Sequence, residues 1–162
     1  MKFRPEHKLP TGFTLVELVL IIAIMGILSV VFIPKFGSII EDVREKAVSE
    51  RLVEDINYLR SYAISHHDTT WLLVEPAQNR YALFVGPSSI SRTLIPDPHT
   101  LESDTLDLDV DYSGVSISSA NFGGSSEISF NWWGTPSAGG SIVLNSRTIT
   151  VVAETGMAYE TQ

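Results

Sequence analysis

Asp107-x-Asp109-x-Asp111 sets three carboxylates at alternate positions, the spacing that opens a calcium-binding loop. Such a loop needs glycine at its sixth position and a bidentate glutamate at its twelfth, where this chain has Tyr112 and Ser118. On a strand the three side chains would stand about 7 Å apart along one face, too spread for one ion without other ligands. An acidic strand face that discourages edge pairing is the better account. His66-His67-Asp68 joins imidazoles to a carboxylate. Adjacent histidines on a helix diverge, however, and neither has a second ligand at a useful spacing. A charge cluster acting on the dipole of a helix end is expected there. Ser, His and Asp occur without a G-x-S-x-G elbow, and there is no Walker loop or dinucleotide fingerprint. With no cysteine, disulfides, thiol nucleophiles and cysteine-zinc sites are excluded together. The sequence thus nominates no catalytic residue, no metal site and no cofactor.

The carboxylate in the least expected place is Glu17. It is the single charge in the apolar run from Phe13 to Ile33. As a helix that run would be about 31 Å long, enough to cross a hydrocarbon layer of about 30 Å. It is longer than the apolar core of a cleaved secretory signal, and no small-x-small site follows it. The run also lifts mean hydropathy to +0.15. Residues 1–12 carry Lys2, Arg4 and Lys8 against Glu6, a basic flank that stays cytoplasmic, so the C-terminal bulk should face the other way. An ionised carboxylate in hydrocarbon costs on the order of 2.5–3.5 kcal/mol, less near an interface, and usually has a partner.

Beyond the run, Pro34 and Gly37 should bend or loosen the helix. Apolar positions then recur at Ile40, Val43, Ala47, Val48, Leu52, Ile56, Leu59 and Ala63, in mostly three- and four-residue steps. Between them, Glu41, Asp42, Arg44, Glu45, Lys46, Glu50, Arg51, Glu54, Asp55 and Arg60 read as a solvated face. One kinked helix from Phe13 to about His66 is expected, apolar first and amphipathic after.

After Thr69 the period becomes two, and strands are expected at 71–75, 81–85, 106–112, 115–118, 128–132, 141–144 and 147–152. Asn145-Ser146 suggests a tight hairpin. A long helix followed by mostly antiparallel strands predicts an α+β fold, with the sheet covering the apolar stripe of the helix. Residues 86–105 form a long proline-containing connection, and the stretches around 119–126 and 134–141 are rich in Ser and Gly. Alternation should bury one of Trp132 and Trp133 and leave the other near the surface, although both could equally lie in the core. The chain has 162 residues and net charge −8, from 19 acidic and 11 basic side chains. That balance argues against a phosphate-neutralising surface, so no nucleic-acid partner is expected.

Gly12-Phe13-Thr14-Leu15-Val16-Glu17, with a basic leader before it and some twenty apolar residues after it, resembles the class III signal of type IV pilins and of the pseudopilins of type II secretion. The resemblance implies cleavage after Gly12 by prepilin peptidase, N-methylation of the new N-terminal Phe13, and Glu17 as the acidic residue inside the membrane. Pro34 stands where many pilins have a helix-kinking proline. In a filament of side-by-side helices, Glu17 of one subunit can pair with the Phe13 amine of a neighbour. The alternative is that Glu17 reaches water at the headgroup level.

A weaker resemblance covers residues 59–157. Leu59-Arg60-Ser61-Tyr62-Ala63-Ile64, the run Phe130–Pro136 and the run Arg147–Gly156 are similar to the C-terminal domain of GspH/FimT-type minor pseudopilins and minor pilins. The C-terminal cysteine pair of major pilins is missing, which favours a minor subunit.

The expected organisation is therefore a cleaved leader (1–12), a transmembrane and filament-core helix (13–36), an amphipathic helix (37–68) and an antiparallel β domain (69–162). The implied protein is a non-enzymatic filament subunit, single-pass in the inner membrane with its C-terminal domain periplasmic or extracellular. Its implied partners are prepilin peptidase, other pilin or pseudopilin subunits, an inner-membrane assembly platform and membrane lipid. Two alternatives stand beside it. One is an uncleaved bitopic membrane protein with a ligand-binding β domain; the other is a membrane-tethered enzyme, for which the sequence offers no residues.

Overall fold

The computed structural model describes residues 12–98 and 105–161, apart from the side chains of 30–36 and 38. The expected leader, except for Gly12, and part of the 86–105 connection lie outside the described residues. The chain divides into two compact units, Met1–Ile39 and Ile40–Gln162. Helix α1, Leu15–His66, contributes to both. It ends where His67 adopts a left-handed backbone (φ 54°) and the Asp68 amide donates to the Ala63 carbonyl at 3.3 Å, which satisfies a carbonyl the last turn would leave open.

In the second unit α1 buries Val48, Leu52, Ile56, Leu59 and Ala63. That spacing keeps one stripe against the core, and each of the larger side chains contributes about 1.5–3 kcal/mol by leaving water. The expected stripe begins too early: Ile40, Val43 and Ala47 are exposed. The buried apolar stripe starts at Val48, and the turn before it is covered through polar contacts of Glu45 with Ser146 and Arg147.

The strands are β1 (Thr70–Glu75), β2 (Arg80–Ser88), β3 (Ser91–Leu94), β4 (Leu106–Asp107), β5 (Ser119–Phe122), β6 (Glu127–Phe130), β7 (Gly140–Val143), β8 (Thr148–Val151) and β9 (Ala158–Thr161). One sheet runs β3-β2-β1-β6, and β4 pairs with β2; the other runs β5-β7-β8-β9. All pairings are antiparallel. The helix stripe shares one buried cluster with Leu72, Val74 and Ile128 of the first sheet and Ile142 and Ile149 of the second. This is the α+β architecture expected, a long helix on antiparallel sheets. Asn145-Ser146 joins β7 to β8 as a hairpin, closed by the Leu144 amide on the Arg147 carbonyl at 2.9 Å.

Four expectations are corrected. Residues 106–112 are a strand only over Leu106–Asp107 and then a short helix α2, Leu108–Asp111. Asp107 caps α2 by accepting the Asp109 amide at 2.9 Å, which turns the chain and leaves Val110 exposed. Residues 115–118 form no strand because side chains take their backbone groups. Asn79 Oδ1 accepts the Ile117 amide, Asn79 Nδ2 donates to the Val115 carbonyl, and Asn145 Oδ1 accepts the Ser116 amide. Strand β6 stops at Phe130, so neither tryptophan is placed by alternation. Finally β3, β5 and β9 arise where no strand is expected, all as short segments at the outer positions of the two sheets.

Candidate functional site

Over Leu15–Leu28 the N-terminal unit presents apolar surface on every side apart from Glu17. Gly12 and Phe13 precede the helix and are exposed, Phe13 at 75%. Every described side chain from Leu15 to Ser29 is exposed except the half-buried Ile21. A helix apolar on all sides must be buried in lipid or against other helices. Among the described residues no helix is long and apolar enough to cross a membrane. The described side chains of the apolar run stop at Ser29, so the span over 13–33 remains an expectation of the sequence. The bend expected at Pro34 falls on a side chain outside the described residues.

Glu17 lies in the first turn of α1. Its amide donates to Thr14 Oγ1 at 3.2 Å, and the Leu18 amide donates to the Thr14 carbonyl at 3.2 Å. Thr14 is thus the N-cap and Glu17 the third helical residue, where a carboxylate favours the positive helix end. Sequence reasoning missed this cap, although Thr14-x-x-Glu17 is its signature.

In the second unit the face of α1 read as solvated is exposed at Glu41, Asp42, Arg44, Lys46, Glu50 and Glu54, but Glu45 and Asp55 on it are buried. Glu45 is 5% exposed. Its Oε1 accepts the amides of Ser146 at 2.6 Å and Arg147 at 2.9 Å, and its Oε2 accepts the Ser146 hydroxyl at 3.0 Å. Arg147 pairs with Asp42 at 2.9 Å and with Glu160, and Glu160 accepts the Ser49 hydroxyl at 2.8 Å. Hydrogen bonds to Asp42 and then Glu160 raise the Arg147 pKa above its usual value. Asp42, Glu45 and Ser49 share a helix face by their spacing and hold the β7–β8 hairpin and β9.

The other flank holds the first sheet. Tyr81 donates to buried Asp55 at 2.6 Å, while Arg51 donates to the Tyr112 hydroxyl at 3.2 Å and pairs with Asp97. Burial, then the Asp55 carboxylate, pushes the Tyr81 phenol well up. Thr70 Oγ1 donates to the Leu59 carbonyl at 3.0 Å, which seats β1 directly on the helix. These networks are ion pairs and caps with fixed partners, so their chemistry is cohesion.

The remaining candidates are dispersed. Asp107 caps α2, and Asp109 accepts from Asn79 Nδ2 at 2.7 Å. Among the described residues no group of three His, Asp or Glu side chains is placed to hold a metal. His66 stacks on Tyr62 with centroids 3.9 Å apart, and His67 faces Trp132 at 6.0 Å. Both tryptophans are exposed, Trp132 at 44% and Trp133 at 68%, which corrects the expectation that one is buried. The reason is a turn: the Gly134 amide donates to the Asn131 carbonyl at 2.7 Å, and Asn131 Oδ1 accepts the amides of Trp133 and Thr135. Gly134 completes it at φ 77°, a conformation that favours glycine.

Residues 48–156, more than half of the chain, match the protein-family model for GspH, a type II transport protein. The fold is similar to the solved structure of the minor pseudopilin EpsH from the Type 2 Secretion System of Vibrio cholerae. The TM-score is 0.57 at 9% sequence identity, over 72% of this chain and 94% of that one. At that identity the likeness concerns the fold. A sequence search of curated proteins finds no match. The matched region begins at Val48, the first residue of the buried stripe, so it shares no residue with the Gly12–Glu17 signal.

Proposed function

The chain belongs to the GspH family of type II transport proteins, and from that premise we propose that it is a minor structural subunit of a type II secretion pseudopilus. In this reading prepilin peptidase cuts after Gly12, Phe13 becomes the N-methylated N-terminus, and the subunit assembles through its N-terminal helix. It first sits in the inner membrane with its second unit in the periplasm. An assembly platform then extracts it from lipid into a filament of other subunits. It needs neither a cofactor nor nucleic acid.

The observation that carries the reading is the apolar surface of Leu15–Leu28, interrupted only by Glu17, in a chain that matches the GspH model over residues 48–156. Such a surface needs a partner on every side, and a bundle of like helices supplies one. Cleavage would put an amine at Phe13, four residues from Glu17, so that a neighbour's amine neutralises a carboxylate that would otherwise be buried alone. Pro34 then serves as the bend between the packed apolar stretch and the amphipathic stretch of the helix.

The test is the intact mass and N-terminal peptide of the native protein from its membrane fraction. A chain beginning at N-methylated Phe13 supports the reading. A chain still beginning at Met1, in cells with active prepilin peptidase, overturns it in favour of an uncleaved bitopic protein with a ligand-binding domain. As a second check, Glu17→Ala should leave cleavage intact. It should lower incorporation into sheared filaments by about a hundredfold or more, since breaking a buried ion pair costs about 3–5 kcal/mol. Unchanged incorporation would mean that Glu17 serves only as part of the helix cap.

A further inference from the structure

The end of the first sheet where β1 begins and β6 finishes carries an aromatic column. Thr70 pairs with Val85 on one side and Phe130 on the other, so the helix end, the β2–β3 turn and the Asn131–Gly134 turn emerge together. His67, Trp132 and Trp133 form successive rings, with centroid separations of 6.0 Å and 4.0 Å. The column is not a floppy loop. Asn131 braces the turn, and Arg60 Nε donates to the Gly134 carbonyl at 3.2 Å. Its outer ring, Trp133, is 68% exposed, so a rigid aromatic face is held open to solvent.

The exposed charges around it are negative. Asp68 adjoins His67 and is exposed. A Cβ built on Gly156 would stand 2.8 Å from the Gly134 carbonyl, so the turn carrying exposed Glu154 lies against the tryptophan turn. The basic groups nearby are committed: Arg60 to Gly134, and Arg92 to Glu127 at 2.7 Å. Arg92 also shows what this chain does with a guanidinium, lying 5.6 Å from the Trp71 ring and 4.3 Å from that of Phe84. Asp68 further lines a surface groove of about 430 Å³ beside Pro87 and the fully presented Ile90.

We propose that this end of the domain is a docking site for a partner polypeptide that presents arginine, with the guanidinium stacked on Trp133 and neutralised by Asp68 and Glu154. A planar cation fits a ring face and an acidic rim at once, whereas an ammonium satisfies only the rim well. The groove gives the residues beside that arginine a place to lie, which a free cation would not need. The site is independent of the apolar helix and of its processing.

The test uses the full chain in a polyoxyethylene detergent, with fluorescence anisotropy of a dye-labelled tetra-arginine peptide as the readout and tetra-lysine and maltotetraose as competitors. Tetra-arginine should bind more tightly than tetra-lysine. Trp133→Ala should weaken the arginine peptide about two- to fivefold, bring it to the lysine level, and be partly rescued by Trp133→Phe. Asp68→Asn should weaken both peptides alike. Equal binding of the two peptides, or no effect of Trp133→Ala, would overturn the proposal in favour of a merely acidic surface. Displacement by maltotetraose would overturn it in favour of a glycan platform.

Discussion

Removing the Glu45 carboxylate should loosen the β7–β8 hairpin from the helix. Glu45 is 5% exposed, and the Arg147 amide it accepts belongs to a buried residue, whereas Ser146 is exposed. In Glu45→Ala the Arg147 amide loses its acceptor where water has little access, a cost of about 1–3 kcal/mol. The Ser146 amide and hydroxyl can be rehydrated, so their loss adds only about 1 kcal/mol. The expected destabilisation is thus about 2–4 kcal/mol. Glu45→Gln keeps an oxygen for the same amides and gives up only the charge assistance, so it should cost about half as much. Chemical unfolding of the full chain in detergent measures the totals. Amide exchange locates them, with protection at Ser146 and Arg147 falling by about thirtyfold or more. If Glu45→Ala unfolds within about 0.5 kcal/mol of the parent with unchanged exchange, the clamp contributes nothing. If Glu45→Gln is as damaging as Glu45→Ala, the charge matters and the acceptor does not.

Two further outcomes follow from the core. The Tyr81 phenol is raised in the folded state, so the folded chain keeps a proton that the unfolded chain releases. Stability is therefore fully present below the ordinary tyrosine value near 10 and is lost as pH rises above it. Denaturation midpoints measured on either side of pH 10 should show this loss, and Tyr81→Phe should make it shallower while costing about 1–3 kcal/mol at neutral pH; an equally steep loss in the variant would refute the assignment. At Gly140 an added Cβ would stand 2.0 Å from the Asn121 carbonyl oxygen and 2.7 Å from the Phe122 Cα, both backbone atoms of β5. Gly140→Ala should cost about 3 kcal/mol and selectively deprotect the amides of β5 in hydrogen exchange; unchanged protection there would show that the two strands can separate without consequence.

How far the sequence could be read depended on whether each residue's partner was local. The Val48–Ala63 stripe and the Asn145-Ser146 hairpin were legible because period and turn chemistry act over a few residues. Glu45 was not, because its donors lie about a hundred residues away on the hairpin and a charged helix position looks the same whether it meets water or a strand. The same applies to Asp55 and Tyr81, 26 residues apart. Leu106, Leu108 and Val110 alternate like a strand, but Asp107 offers the backbone a cap, and the cap won. The tryptophans misled for the same reason: Asn131 turned the chain before alternation could place them. In the candidate site Glu17 was visible as a lone charge, while its capping partner Thr14 was overlooked beside it.

Helix α1 is where the two sources of identity meet, and the physics of its two stretches differs. From Leu15 to Ser29 the exposed surface is apolar apart from Glu17 and the serine that closes it, so its partners must come from outside the chain. From Val48 onward the helix is apolar on one stripe, and on its flanks Asp42, Glu45, Ser49, Arg51 and Asp55 are matched to groups within the same domain. Changes in the first stretch should thus alter processing or assembly while leaving the sheets intact. Changes at Glu45 or Tyr81 should weaken the domain without affecting the proposed cleavage after Gly12. A substitution at Glu17 that unfolded the sheets, or one at Glu45 that blocked cleavage in a folded chain, would contradict this division.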